Sequence, residues 1–482
     1  MEAVVQSASA APAAQPARLP AQRVDAAGRA HVDQRAVFAL ALPLMANSAV
    51  QIVLNLTDMW FMGRISTAAL AAVGAVQWLI LAVVLVLGGA GTAVQTLVAQ
   101  HFGAHRFNRA GEAVWTAVWG MACAAPVFVL VGAARHLILA PFGFDAHIEG
   151  LAAAFWFPRV GGAFVGAALW ATLGFFNGIG RPRITLLITL VTTLINALLN
   201  QAFIFGLGWG IAGSAWATNC AQLLGLLFAL AIFLRPQYRR VYHSHLTWHP
   251  HARRLMEQLR LGVPMGLLPA ADLLGFALFQ MMQTWLGTAD GAATQMVMML
   301  TSLSYMPGFG IASAATTLVG QSIGAGARDW ALRVGNRTIL LAACYMGGIG
   351  VVIALTGPWL LPFFAAAHDA ESLSAVSLGR HLLWFAAAFQ FFDGLNMGSG
   401  MCLRGAGDVR VPAALVLPLS LLFFVPLAHM LTFAPGHGWV HFLPQYGYGA
   451  IGGWVAVVIY VMVLGSSLFL RWRSRAWQRI QL

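Results

Sequence analysis

An all-α polytopic membrane protein of about twelve transmembrane helices, arranged as two pseudo-symmetric six-helix lobes, is the fold class that this sequence predicts. Three observations carry that expectation: the composition, the alternating placement of arginine, and an internal repeat. Of 482 residues, 60% are hydrophobic and 9% charged, with a mean hydropathy of +0.76, whereas an ordinary soluble domain is about 25% charged. Such a chain cannot build a water-facing surface. Lipid admits only helices and closed barrels, because every backbone polar group must be satisfied internally. The long apolar runs suit helices of roughly 20 residues rather than the alternating ten-residue strands of a barrel.

Taken in order, the apolar runs place spans at 36–61, 69–99, 113–134, 150–176, 185–207, 211–234, 263–287, 291–320, 334–356, 376–403, 411–433 and 449–470. They divide the chain into an N-terminal tail (1–35), an N-lobe (36–234), a linker (235–261), a C-lobe (262–470) and a C-terminal tail (471–482). The Ala/Pro/Gln-rich first segment and the Arg/His-rich linker have too little apolar content to form a core. The first segment also lacks the apolar stretch of a signal peptide, so the first span is expected to act as the insertion signal.

The net charge of +12 and pI near 10.7 invite a nucleic-acid reading, which the placement of the charge excludes. All 27 basic residues are Arg, and 23 lie on alternate loops: Arg18, Arg23, Arg29 and Arg35; Arg106 and Arg109; Arg181 and Arg183; six in the linker; Arg328, Arg333 and Arg337; Arg404 and Arg410; and four in the C-terminal tail. Only Arg64, Arg135 and Arg380 occupy the opposite side, with Arg159 inside the fourth span. The pattern follows the positive-inside rule at each crossing and predicts an inner-membrane protein with both termini cytoplasmic.

The halves repeat. An offset of 221 lays Pro43 on Pro264, Gly89 on Gly310, Val98 on Val319, Gln100 on Gln321 and Gly103-Ala104 on Gly324-Ala325. Further on, Gly178-Ile-Gly180 meets Gly405-Ala-Gly407 at offset 227, and Gly208-Trp-Gly210 meets Gly447-Tyr-Gly449 at offset 239, the extra residues falling in the 434–446 outer loop. Each half has an even number of spans, so both enter the membrane from the same side and the pseudo-symmetry axis runs along its normal. Two lobes facing each other across a cleft is a transporter architecture.

Of the fifteen Asp and Glu, only Asp58, Asp272 and Asp393 lie inside spans. A carboxylate at the bilayer centre costs about 2.5–3.5 kcal/mol, so such residues are expected to face a wet cavity or hold a cation. A carboxyl withdrawn from water exchanges its proton nearer neutral pH, as an ion-coupling group requires. Asn47, Gln51 and Asn55 recur on one face of the first span and end close to Asp58, which predicts a polar path. Asn196 and Asn200 in the fifth span, and Gln280 and Gln283 in the seventh, are further candidate lining groups. Met282 and Met299, among several Met and aromatic residues of spans 7 and 8, suit a promiscuous site for planar cations. Neither the histidines of the linker nor Cys123, Cys220, Cys344 and Cys402 have metal-ligand spacing, and no cofactor is expected.

Leu42-Pro43 through Asn55-Leu-Thr-Asp58, the stretch Thr67 to Gly74, the Val98–Gly103 and Val319–Gly326 loops, Phe203-Ile-Phe-Gly206 and Leu403-Arg-Gly-Ala-Gly-Asp408 together resemble the multidrug and toxic compound extrusion (MATE) family, in its NorM-like branch. The resemblance runs through spans 1 to 12. It implies two bundles that open alternately and a monomeric antiporter that expels small organic cations in exchange for H+ or Na+. Asp58 and Asp393 match acids of that branch, whereas Asp272 stands where it usually has Glu and Phe389 where it has Tyr. The shorter carboxylate and missing hydroxyl remove oxygens from a cation shell and favour H+. Two rival classes share parts of the pattern. A flippase for a lipid-linked glycan would want several Arg in the cleft. An intramembrane aspartyl protease is suggested only by the string Gly405-Ala-Gly-Asp408, whose repeat partner carries Arg181 in place of the acid.

Overall fold

The computed structural model describes residues 19–140, 146–364 and 370–480. A hairpin of β1 (Gln22–Val24) and β2 (Ala30–Val32) precedes α1 (Gln34–Ile65), α2 (Thr67–Thr92), α3 (Val94–Gly103), α4 (Phe107–Ala133), α5 (Arg135–Leu139), α6 (Ala146–Gly161), α7 (Ala163–Gly178), α8 (Pro182–Asn200) and α9 (Gly210–Phe233). The linker holds α10 (Pro236–Tyr242). The C-lobe contains α11 (Ala252–Leu286), α12 (Thr288–Gly324), α13 (Arg328–Leu360), α14 (Ala370–Ala406), α15 (Arg410–Pro418), α16 (Val425–Thr432) and α17 (Gly449–Arg473). One π-helical turn, Gln201–Gly206, extends α8, and a second, Leu419–Phe424, joins α15 to α16.

Among the described residues, ten helices are long and apolar enough to cross a membrane, and the α6–α7 pair, bent by 43°, makes eleven. The 37-residue α14 covers the tenth predicted span but interrupts its apolar run with Gln390, Asp393 and Asn396, so it falls outside that count. All twelve predicted spans therefore coincide with a helix or a broken helix. The breaks have local causes: α6 contains Pro158, and the Asn219 side chain donates to the Pro158 carbonyl at 2.5 Å beside the bend.

Two expectations about the loops change. Residues 1–18 of the N-terminal tail lie outside the described residues, but 19–33 form the hairpin, whose Leu19, Ala21, Ala30 and Val32 pack on Val37, Leu318, Trp330 and Val334. Trp330 Nε1 donates to the Pro20 carbonyl at 2.9 Å. Gly28, with φ +75°, makes the turn, and the Arg29 backbone N–H and the His31 ring hold the Asp25 carboxyl below its ordinary range. In the linker, Tyr238 and Tyr242 lie one helical turn apart and are buried among Phe107, Phe175 and Phe233 of the N-lobe. Burial pushes the Tyr242 phenol up to about 12. Trp115 and Trp119 donate to the Ser244 and Trp248 carbonyls, both at 2.7 Å, so the strap lies along α4, and α11 begins at Ala252 rather than 262. Aromatic spacing, not apolar content, supplies the linker's anchorage.

Both ends of the described chain meet the start of α13, through the Trp330 contact and through Arg475 Nη1, 3.5 Å from Asp329 Oδ1. The described termini thus lie on one side, the arginine-rich one.

The lobes touch at this same end, and the contacts obey the repeat. Gly89 of α2 lies against the Gly262 carbonyl of α11, while Gly310 of α12, its repeat partner, lies against the backbone of Leu44 and Met45 of α1. Gln100 Nε2 donates to the Gly405 carbonyl at 2.9 Å, and Gln321 Nε2 donates to the Gly178 carbonyl at 2.8 Å. Gln95 to Ser313 and Thr317, Thr317 to the Asn177 carbonyl, Arg404 to the Thr92 carbonyl and Gln258 to the Ala90 carbonyl complete the seal. Every inter-lobe hydrogen bond among the described residues lies at this end, so the cleft closes on the arginine-rich side.

Candidate functional site

Each lobe holds an acid beside a π turn. In the N-lobe, α8 ends at Asn200, immediately before the first π turn, and Asn200 Nδ2 donates to Asp58 Oδ1 at 2.6 Å. The same group approaches Asn196 Oδ1 at 3.2 Å, and Asn196 Nδ2 reaches Thr218 Oγ1 at 3.2 Å. Asp58 therefore terminates a chain of amides and hydroxyls running through α1, α8 and α9. π turns shift side-chain phase within a helix and recur at functional positions. Arg159 of α6 faces Asp58 electrostatically without a bridging contact.

In the C-lobe, Asp272 of α11 accepts a hydrogen bond from the Tyr460 hydroxyl of α17. Tyr460 stacks on Phe424, at the end of the second π turn, with ring centroids 4.7 Å apart. Ser420 of that turn donates to the Ala271 carbonyl at 3.0 Å and fixes α11 beside it. Asp393 of α14 accepts from Asn396 Nδ2 at 3.2 Å, while its Oδ2 is buried with no hydrogen-bond partner among the described residues. Asp272 and Asp393 lie close enough to interact as charges, and Tyr305 lies near both. The local partners are hydroxyls, an amide and phenyl rings. Such a pair can bind a proton or a small cation.

The three predicted acids are thus split, one in the N-lobe and two brought together in the C-lobe. Asn196 and Asn200 do not offer free surface but are buried partners of Asp58. Asn55 is exposed on α1, Gln51 partly so, and Asn47 Oδ1 is buried without a partner. Gln280 bonds the Gly291 carbonyl at 3.2 Å and ties α11 to α12. Two expectations are corrected. Met282, 1% exposed, packs inside the C-lobe core, and Gln283, fully buried, lies against Thr432 of α16 and Gly453 of α17, instead of lining the cleft. Met299 is half exposed.

Sequence reasoning missed Tyr460, Asn396 and Ser420. Tyr460 had a signal, being one of only seven tyrosines and set within an apolar span; Asn396, three residues beyond Asp393, had another. The remaining motifs resolve structurally. Asp408 is buried and pairs with Arg471 Nε at 2.8 Å, which joins the α14 end to α17. No group of three or more His, Cys, Asp or Glu able to hold a metal occurs among the described residues. A cavity of about 290 Å³ opens between α4, α6, α7 and α9, next to Val129, Trp216 and Leu223, and includes none of the predicted residues. Those three side chains are exposed at its mouth, so it is a crevice in the outer wall of the N-lobe.

Two helical lobes that repeat each other, seal at one end and keep acids inside define a multi-pass membrane transporter. Comparison with known proteins places it more narrowly. The MatE family model matches residues 43–201 and 264–430, one stretch in each lobe, and the chain belongs to that family. It is 30% identical over 383 residues to a probable multidrug resistance protein NorM of Burkholderia mallei, covering 77% of this chain and 80% of that one. It is 26% identical over 462 residues to the similarly named protein of Mesorhizobium japonicum, covering 92% and 94%. Among solved structures, it resembles a MATE protein in complex with MaL6 (TM-score 0.79, 20% identity, covering 92% of this chain and 97% of that one). It also resembles an outward-facing MATE family transporter of the MOP superfamily (TM-score 0.78, 21% identity, 92% and 96%). These likenesses show the shared fold.

Proposed function

We propose that this protein is a monomeric secondary antiporter of the inner membrane, with both termini cytoplasmic, that exports organic cations in exchange for H+. The names of its NorM relatives support multidrug export. The observation that carries the coupling is the C-lobe pair: two acids inside a membrane lobe, held by Tyr460 and Asn396, with one carboxylate oxygen of Asp393 unpartnered. An isolated charge there is costly, so occupancy by a proton or a cationic substrate relieves the same penalty, and the two compete. Alternating access then needs only that the lobes prefer different faces in the two protonation states. With the arginine-rich end cytoplasmic, the Gln100 and Gln321 seal makes this an outward-facing arrangement. The hydroxyls of Tyr460 and Tyr305 supply oxygens that the Phe389 position lacks, so Na+ is the alternative coupling ion.

The test is uptake of a fluorescent cation into inverted membrane vesicles under an imposed proton gradient or an imposed sodium gradient. Uptake driven by the proton gradient alone is expected. Uptake driven by sodium alone would replace the ion, and uptake under neither would end the antiporter reading.

A further inference from the structure

The seal between the lobes repeats in its hydrogen bonds but not in its charge. Gln95, Thr96, Gln100, Gln258, Thr317 and Gln321 bond across it through neutral amides and hydroxyls. Among the described residues, the one charged side chain that hydrogen-bonds across the seal is Arg404 of α14, whose Nη2 donates to the Thr92 carbonyl at 2.6 Å. Thr92 ends α2 at its break with α3, where a carbonyl loses its intrahelical partner. At the repeat-equivalent place, offset by 221, the Ser313 carbonyl is met instead by the neutral amide of Gln95 at 3.2 Å. The repeat partner of Arg404 itself, at offset 227, is Asn177, whose Oδ1 accepts from Thr185 within the N-lobe at 2.7 Å.

The depth of this charge is set by its partner. Thr92 precedes Gln100 by eight residues on a chain running towards the cytoplasmic end, or roughly 12 Å at 1.5 Å per residue. The guanidinium therefore lies on the cleft side of the Gln100–Gly405 bond, at the cleft floor. Its Nε is buried with no hydrogen-bond partner among the described residues. The acid one turn on, Asp408, is already held by Arg471 Nε at 2.8 Å and does not neutralise it. A guanidinium keeps its proton in proteins, so the positive charge is permanent and sits where water screens it poorly. Amides and hydroxyls can relay a proton or replace part of a cation's water shell, whereas a fixed positive charge in a narrow path repels both.

We propose that Arg404 is the electrostatic barrier of the closed gate, keeping H+ and other cations from crossing the seal between cleft and cytoplasm while the lobes are shut. This rests on the antiporter reading and its outward-facing arrangement, and adds to it the residue that prevents uncoupled leak. Because the bond to Thr92 runs from one lobe to the other, opening the cytoplasmic end breaks it and carries the charge away with α14. The barrier then stands only in the closed state.

The test is passive proton entry into proteoliposomes of the full-length protein, with pyranine inside, an imposed pH gradient, no substrate, and valinomycin with potassium to clamp the potential. The wild type is expected to be nearly as tight as vesicles without protein. Arg404→Gln and Arg404→Met should each raise the rate by roughly tenfold or more, whereas Arg404→Lys, which keeps the charge, should stay within about threefold of wild type. Gln100→Ala removes one bond of the seal but leaves the charge, so it should also stay tight; it decides the matter even where the neutral variants misfold. A folded neutral variant as tight as wild type, or a leak in Arg404→Lys or Gln100→Ala equal to that of the neutral variants, overturns the assignment. Gradient-driven transport of a fluorescent cation by the wild type tests the antiporter reading separately. Its absence would sink that reading, whereas the leak comparison sinks the role of Arg404 alone.

Discussion

The side-chain amide of Gln100 donates across the lobe interface to the carbonyl oxygen of Gly405 at 2.9 Å. Its repeat partner, Gln321, returns the same bond to Gly178 at 2.8 Å. A pseudo-two-fold axis thus passes through the seal, and two equivalent bonds share the work of holding the lobes together. Replacing either glutamine by Ala should weaken the closed end by about 1 kcal/mol, the usual scale for a hydrogen bond between membrane helices, or roughly a fivefold shift between the two lobe arrangements. Spin labels at positions 105 and 327, in a cysteine-free background, should report a growing long-distance population, largest in the double variant. An unchanged distance distribution in the double variant would show that the seal does not depend on these bonds.

The same axis relates Gly89 to Gly310, where backbones meet. A Cβ added at Gly310 would lie 2.5 Å from the Met45 amide nitrogen and 2.8 Å from the Leu44 carbonyl carbon, so α1 and α12 would have to separate. Gly310→Ala is expected to destabilise the closed arrangement by roughly 1–3 kcal/mol, the range for overpacking. Gly63, whose added Cβ meets nothing within 4 Å, is the control. Thermal unfolding in detergent should fall for the first and hold for the second; equal melting of the two variants would contradict the close crossing.

Met282 is a core residue in this structure. Met282→Ala should reduce stability by roughly 2–5 kcal/mol through the cavity it leaves, with dye affinity unchanged in the fraction that folds. Met299→Ala, at a half-exposed position, should leave stability within about 0.5 kcal/mol. A large loss of dye affinity in folded Met282→Ala protein would return this residue to the binding site.

How much of this was legible depended on which force set each feature. Span positions, the shared side of the termini and the repeat follow from hydropathy and arginine placement, which act along the chain, and they appear in the structure as expected. The residues that the repeat pairs, Gln100 with Gln321 and Gly178 with Gly405, turn out to exchange the hydrogen bonds of the seal, which the sequence reading did not foresee. The three acids were legible because charge inside an apolar run has no ordinary explanation. Their partners were not: Tyr460 is 188 residues from Asp272, and Asn200 is 142 from Asp58. The π turns that place Asn200 and Ser420 leave no mark that a 3.6-residue period detects. Met282 and Gln283 were misplaced because, in a chain this apolar, periodicity does not separate a core face from a cleft face.

The account rests most heavily on Asp272 and Asp393 as the point where proton and cation compete. The most direct measurement is the affinity of the purified protein for tetraphenylphosphonium, a cation with no proton of its own, between about pH 8 and pH 5, where a membrane-buried carboxyl exchanges. The sign is fixed: an ionised acid attracts the cation and a protonated one does not, so binding should weaken as pH falls. The pH slope should flatten in Asp272→Asn and in Asp393→Asn, while Asp58→Asn retains it. An affinity that stays level across that range in folded wild-type protein, or a slope that survives in the double Asn variant, would contradict the C-lobe pair as the coupling site.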